Sequence, residues 1–157
     1  QILKAIQNNI DISHLDSHRH IHLIPNIYKI VYGLSTKYNI GRVRLVNENI
    51  FHSFKLTKKI NFFMNGGLLK YFLLKIFTIF NKLHGNKYEN IFFYSILYTG
   101  VIGRTSLHKL MSSKTCYEIV VHPSCINLDK DIAFYDDAEK AYRLSANRSL
   151  ELLAILK

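Results

Sequence analysis

The sequence predicts an α/β fold built from parallel β/α units, on three observations. Strand-like runs of β-branched and aromatic residues alternate with segments whose apolar residues recur at helical spacing. Polar, chemistry-bearing residues gather just after the strand-like runs, where α/β folds place their sites. The chain has 157 residues, is 48% hydrophobic and is 13% aromatic, enough for one domain with a real core and unlike a disordered chain.

In chain order, Ile2 to Gln7 read as the end of a helix, stopped by Asn8 and Asn9. A short strand, roughly Ile10 to Asp16, leads into a polar, His-rich loop. Pro25 suits the first turn of a helix, and Ile27, Ile30, Val31, Leu34 and Tyr38 then recur on one helical face until Asn39 and Gly41 end it. Arg42 to Val46 reads as a second strand. The basic, aromatic stretch from Leu56 to Leu83 reads as one or two helices broken at Gly66-Gly67. Ile91 to Ser95 is a third strand, Thr105 to Met111 a short helix and Cys116 to Val121 a fourth strand ending at His122-Pro123. Asp136-Asp137 open a final helix, with Ala138, Ala141, Tyr142 and Ser145, then Leu152, Leu153 and Leu156, on its buried face. Strand and helix in this rhythm mean parallel units, in a (β/α) barrel or a doubly wound sheet. The strand ends carry Asp16-Ser17-His18, Asn47-Glu48, Tyr98 to Gly100 and His122-Pro123.

Net charge is +10, densest between Lys55 and Lys87, which fits either attraction to an anionic partner or a Lys-rich solvated surface. The two cysteines, Cys116 and Cys125, form no C-x-x-C pair and no disulfide framework, so a reducing, cytoplasmic compartment is expected. No signal peptide is visible, and Leu68 to Phe80 is too short and too charged to span a bilayer. P-loop, dinucleotide-binding and G-x-S-x-G patterns do not occur.

The most informative string is His14-Leu15-Asp16-Ser17-His18-Arg19-His20-Ile21-His22. In an extended segment alternate side chains face one way, which would turn Asp16, His18, His20 and His22 toward one pocket. Imidazole and carboxylate ligate divalent ions; the plainer reading is a His-rich surface loop without a metal. The apolar strand before His122 places that imidazole at a strand end, where it is structural or catalytic. Arg44 and Glu48 share a face near the end of another strand, either as an ion pair that shapes the site or as a surface pair of little energetic value.

Together these strings resemble the YdjC-like family, which includes chitooligosaccharide deacetylases and hopanoid-biosynthesis-associated deacetylases. His14 to Pro25 is similar to the signature H-L-D-(S/G)-H-x-H-x-H-x-x-P. Arg42 to Glu48 resembles x-V-R-x-x-x-E, Glu118 to Ser124 resembles E-(I/L/V)-M-x-H-P-(G/A), Arg148 to Leu152 resembles R-x-x-E-L, and Tyr94 to Gly103 resembles a small-residue turn before a helix. The likeness runs from about Ser13 to the C-terminus and is weak through Phe54 to Asn90.

The resemblance implies a partial (β/α) barrel, the C-terminal part of a TIM-barrel-like deacetylase domain, over residues 1–157. It implies hydrolysis of an N-acetyl group from an amino sugar or oligosaccharide with a divalent metal ion, magnesium by resemblance and zinc or manganese by ligand type. Carried over residue by residue, His18 matches the metal ligand. His122 and Asp16 match catalytic positions, His122 as the acid toward the leaving amine and Asp16 beside the metal-binding His, while the family's base is a carboxylate of its N-A-D-D-F-G strand end. His20, His22, Arg44 and Glu48 match substrate-binding or site-shaping positions. The family's N-A-D-D-F-G strand end and H-x-x-L segment do not occur in this chain, so a single incomplete domain lacking its N-terminal strands is expected. Expected partners are an acetylated amino-sugar substrate and either a homo-oligomer or a complementing N-terminal chain; neither nucleic acid nor a transmembrane segment is expected. The rival readings are a non-catalytic remnant and a basic module for nucleic acid or anionic surfaces.

Overall fold

The computed structural model describes residues 1–57, 67–83, 91–94, 96–98, 102–112, 114–124 and 136–156. The chain divides into two units, one of residues 1–47 and 69–90 and the other of 48–68 and 91–157. Both combine helices with short parallel β pairing, so the α/β character expected from sequence is observed.

In the first unit, α1 (Ile2–Gln7) ends where Asn9 takes a left-handed conformation, φ 55°. Asn pays less for that region than other residues with a Cβ, which is why it serves as a stop. Helix α2 (Pro25–Lys37) starts with Pro25 in its first turn and is followed by a second left-handed Asn39, φ 53°. Its buried face is turned from the one the apolar spacing predicts: Tyr28 and Ser35 point inward and Ile30 outward. Tyr28 stacks on Tyr32, and the Ser35 hydroxyl can be buried because it donates to the Tyr32 carbonyl at 2.8 Å.

The strands expected at 10–16 and 42–46 reduce to one parallel bridge, Leu15 opposite Val43, with Leu15 N–H on the Arg42 carbonyl and Arg44 N–H on the Leu15 carbonyl, both at 2.9 Å. Side chains satisfy backbone groups that a longer ladder would use. Thr78 Oγ1 accepts the Val46 N–H at 3.3 Å, and the Arg44 carbonyl lies 3.0 Å from His22 Nε2. Thr78 lies on α4 (Gly67–Lys82); the break expected at Gly66-Gly67 involves Gly66, which lies outside the described residues. Leu23, Tyr28, Ile40, Val43, Val46, Tyr71 and Leu74 are the buried hydrophobic residues of this unit.

In the second unit, β1 (Phe92–Tyr94) and β2 (Tyr117–Ile119) pair in parallel, Phe92 opposite Tyr117 and Tyr94 opposite Ile119. Parallel neighbours need a crossover, and α5 (Arg104–Met111) lies in it. Ahead of them, α3 (Ile50–Thr57) accepts the Ser106 hydroxyl of α5 on its Leu56 carbonyl at 3.3 Å. The single C-terminal helix expected from sequence is two helices, α6 (Asp137–Arg143) and α7 (Ala146–Ile155). Ser145 separates them: it is extended, φ −61° and ψ 128°, and its side chain accepts the Asn147 N–H as an N-cap. The buried face of α7 is Glu151 and Ala154, whereas Tyr142, Leu153 and Leu156 are exposed. Phe93, Tyr94, Ile96, Leu97, Tyr98, Ile102, Leu110 and Ala154 form the buried hydrophobic set here. The expectations for Ser95, for Thr99 to Val101, for the helical stretch at 58–66 and for the Ala138 side chain lie outside the described residues. Among the described residues no helix is long and apolar enough to cross a membrane.

Candidate active site

The His-rich segment is not extended beyond Ser17. Residues His18–Leu23 form a 3-10 turn, within which Arg19 (φ 55°) and His20 (φ 60°) are left-handed. Alternate side chains therefore no longer face one way. A left-handed residue with a Cβ costs on the order of 1–3 kcal/mol, and such strain persists only where the surroundings over-determine it.

Ser17 and His22 supply that constraint. The Ser17 hydroxyl accepts the His22 backbone N–H at 2.8 Å and lies 2.9 Å from His22 Nδ1. His22 Nε2 lies 3.0 Å from the Arg44 carbonyl, which can only accept. The network thus assigns the ring proton to Nε2, leaving Nδ1 to accept the Ser17 O–H. His22 is 1% exposed and has both ring nitrogens engaged, so it ties the loop to the segment at 42–46. Arg44 works from the other side: its guanidinium pairs with Asp16 Oδ2 and reaches His14 Nε2 at 3.2 Å. From α4, Asn81 Nδ2 donates to the Leu23 carbonyl at 2.8 Å, closing the turn at its far end.

His20 is half-buried, and its pKa is lowered to about 4, first by burial and then by Lys70, His22 and Arg44, with Asp16 opposing. At neutral pH it is an uncharged imidazole. His18 is exposed, and Asp16 keeps Oδ1 outside its pair with Arg44. These two are donors of the type a zinc, manganese or magnesium ion accepts. In number they fall short: among the described residues no three His, Cys, Asp or Glu side chains converge to hold an ion.

In the second unit, two carboxylates with no solvent exposure organise the strand exits. Glu48 accepts the Ser53 hydroxyl at 2.7 Å and the Ile96 N–H, two residues past β1, at 2.6 Å. Burial and then the Glu48 charge raise the Tyr98 pKa, holding it as a phenol. Glu151, on α7, accepts the Ile102 N–H at 3.0 Å and the His122 N–H at 2.6 Å. One turn earlier on the same helix, Arg148 Nε donates to the His122 carbonyl at 2.9 Å. His122 is therefore held at both its N–H and its C=O by a pair of residues at i and i+3, which share a helix face. Its ring meets Tyr142 edge-on at 6.2 Å between centroids, and the Arg148 guanidinium lies 5.3 Å from the Tyr142 ring centre.

The predicted residues are thus placed as two groups. Asp16, His18, His20, His22 and Arg44 belong to the first unit, and Glu48 and His122 to the second. Sequence reasoning did not assign Ser17, Thr78, Asn81, Arg148 or Glu151 the roles they play. The signal for Glu151 was available: a lone acid inside Leu150-Glu151-Leu152-Leu153-Ala154 is a charge on an apolar run, and a buried acid needs donors.

No solved structure matches the chain. A family model described as YdjC-like protein matches residues 1–157, and the chain belongs to the YdjC-like family.

Proposed function

We propose that this protein removes N-acetyl groups from an amino sugar or oligosaccharide, by hydrolysis that depends on a divalent metal ion, on a scaffold that is part of a (β/α) barrel. Membership of the YdjC-like family over the whole chain carries this reading, since that family points to carbohydrate deacetylase-type chemistry. The parallel units with site residues at the strand exits support the barrel part of it. A bound ion would polarise the acetyl carbonyl and lower the pKa of a water.

In this reading His18 would offer one imidazole to such an ion. Asp16 accepts the water proton at Oδ1, while Arg44 holds Oδ2 and so sets the orientation of the carboxylate. The C–O bond to the acetyl carbon forms, the C–N bond breaks and the departing amine takes up a proton; the family resemblance gives a proton-donor role to His122, which lies in the second unit. His20 stays uncharged and adds no positive charge beside the cation. His22, fully engaged, keeps the loop in register.

The test is acetate release from N-acetylglucosamine oligomers, with magnesium, manganese or zinc added and with a chelator. Release that needs the ion and stops on chelation is expected. No release with any of these ions contradicts the proposal.

A further inference from the structure

Helix α4 is oriented against its own hydrophobicity. Leu69, Phe72, Leu73, Ile76, Ile79 and Phe80 recur at i, i+3, i+4, i+7, i+10 and i+11, one continuous stripe, and each is between 48% and 76% exposed. The opposite face, Tyr71, Leu74, Thr78 and Asn81, is buried. That orientation is specified by polar bonds, because Thr78 accepts the Val46 N–H and Asn81 donates to the Leu23 carbonyl. Rolling the helix to hide the stripe would break both and leave buried backbone groups unpaired. With ~200 Å² for each fully exposed large side chain, the stripe presents roughly 700 Å², more than the few hundred that soluble monomers tolerate.

Charge identifies what covers it. At helical spacing, Lys70 borders the stripe on one side and Lys75 and Lys82 on the other, and α4 contains no acidic residue. A second copy of the chain would bring another +10 and set this lysine-bordered, acid-free helix against an identical one. An anionic lipid surface complements both parts: acyl chains take the leucines and phenylalanines, and lysines on long apolar stems reach the headgroups. At 16 residues the helix is too short to span and suits a position in the interface plane.

We propose that α4 is a membrane-docking face that lays its exposed apolar stripe into the surface of a bilayer containing anionic lipid. The proposal is independent of the deacetylase reading.

Sedimentation with phosphatidylcholine vesicles, with and without phosphatidylglycerol, tests it. The protein is expected to pellet with the anionic vesicles and to be released as salt is raised. Lys70→Glu with Lys82→Glu should weaken binding by at least ~25-fold, about fivefold for each lysine charge. Phe72→Ser, Ile76→Ser and Phe80→Ser together should abolish it. Because the chain contains no tryptophan, Leu73→Trp gives a second readout free of background. Its emission should shift to the blue with anionic vesicles and stay unchanged with neutral ones. Equal pelleting with neutral and anionic vesicles, or no blue shift in Leu73→Trp, overturns the proposal. So does a stripe-dependent dimer in analytical ultracentrifugation without vesicle binding, which would make a second copy the occupant.

Discussion

Replacing Glu151 by Gln tests whether α7 holds the His122 backbone. The change keeps side-chain volume and removes charge. In the native chain the two carboxylate oxygens accept two backbone N–H groups, from Ile102 and His122, out of contact with water. A Gln amide can accept only one of them through its oxygen, and its NH2 then faces the other N–H, donor against donor. One charge-assisted bond, worth about 1.5–3 kcal/mol, is lost, and one buried donor is left unsatisfied at a further cost of about 1–3 kcal/mol. Local relaxation offsets part of this, so a net loss of about 3 kcal/mol is expected, a large share of the ~5–15 kcal/mol that stabilises a domain. With a urea slope of about 1.5–2 kcal/mol/M, the midpoint should fall by roughly 1.5–2 M. Equilibrium unfolding followed by circular dichroism measures the midpoint, and amide hydrogen exchange should show faster exchange at Ile102 and His122 in particular. A variant within ~0.5 kcal/mol of the native chain, with the His122 amide as protected as before, would refute the clamp.

Two other substitutions probe the histidine turn. Ser17→Ala removes both the acceptor for the His22 N–H and the donor to Nδ1, and should cost about 1–3 kcal/mol; an unchanged urea midpoint would contradict that. His20 titrates at about 4 when folded and at its ordinary 6.5 when unfolded, so between those values the unfolded chain binds the extra proton. Its contribution is therefore complete above about pH 6.5 and is lost as pH falls toward 4. The gap corresponds to roughly 3 kcal/mol, reduced to about 2 kcal/mol by the ring's partial contact with solvent. Against His20→Asn, which tolerates the left-handed backbone and does not titrate, the native chain in chelator should lose that much more stability between neutral pH and about pH 4. Parallel pH profiles would contradict the assignment.

Much of the helical layout was legible because its signals are local. Pro25 opens α2, and Asn9 and Asn39 end helices in the left-handed region. The β1 and β2 runs, Phe92–Tyr94 and Tyr117–Ile119, were legible from their aromatic and β-branched content. What escaped depends on partners distant in sequence. The turn at His18–Leu23 looks extended by alternation, yet its left-handed pair is held by Ser17, His22 and a carbonyl 22 residues away. The segment at 42–46 has strand composition, but Thr78, 32 residues on from Val46, takes a backbone donor that a ladder would use. The inward face of α4 was illegible for the same reason, since Thr78 and Asn81 outweigh the apolar periodicity through long-range bonds. At the candidate site, composition pointed to the histidines and to Asp16. The supporting roles of Ser17 and Arg148 rest on contacts that no side-chain pattern announces, whereas Glu151 left one sign, an acid inside an apolar run.

The metal dependence of acetate release, compared between the native protein and His18→Ala, tests the functional reading most directly. If His18 is a ligand, the variant should need far more ion for half-maximal rate, beyond the ~10–100-fold that losing an outer partner of a ligand costs. Acetate release by His18→Ala at the native rate, with half-saturation at the same ion concentration, would contradict it.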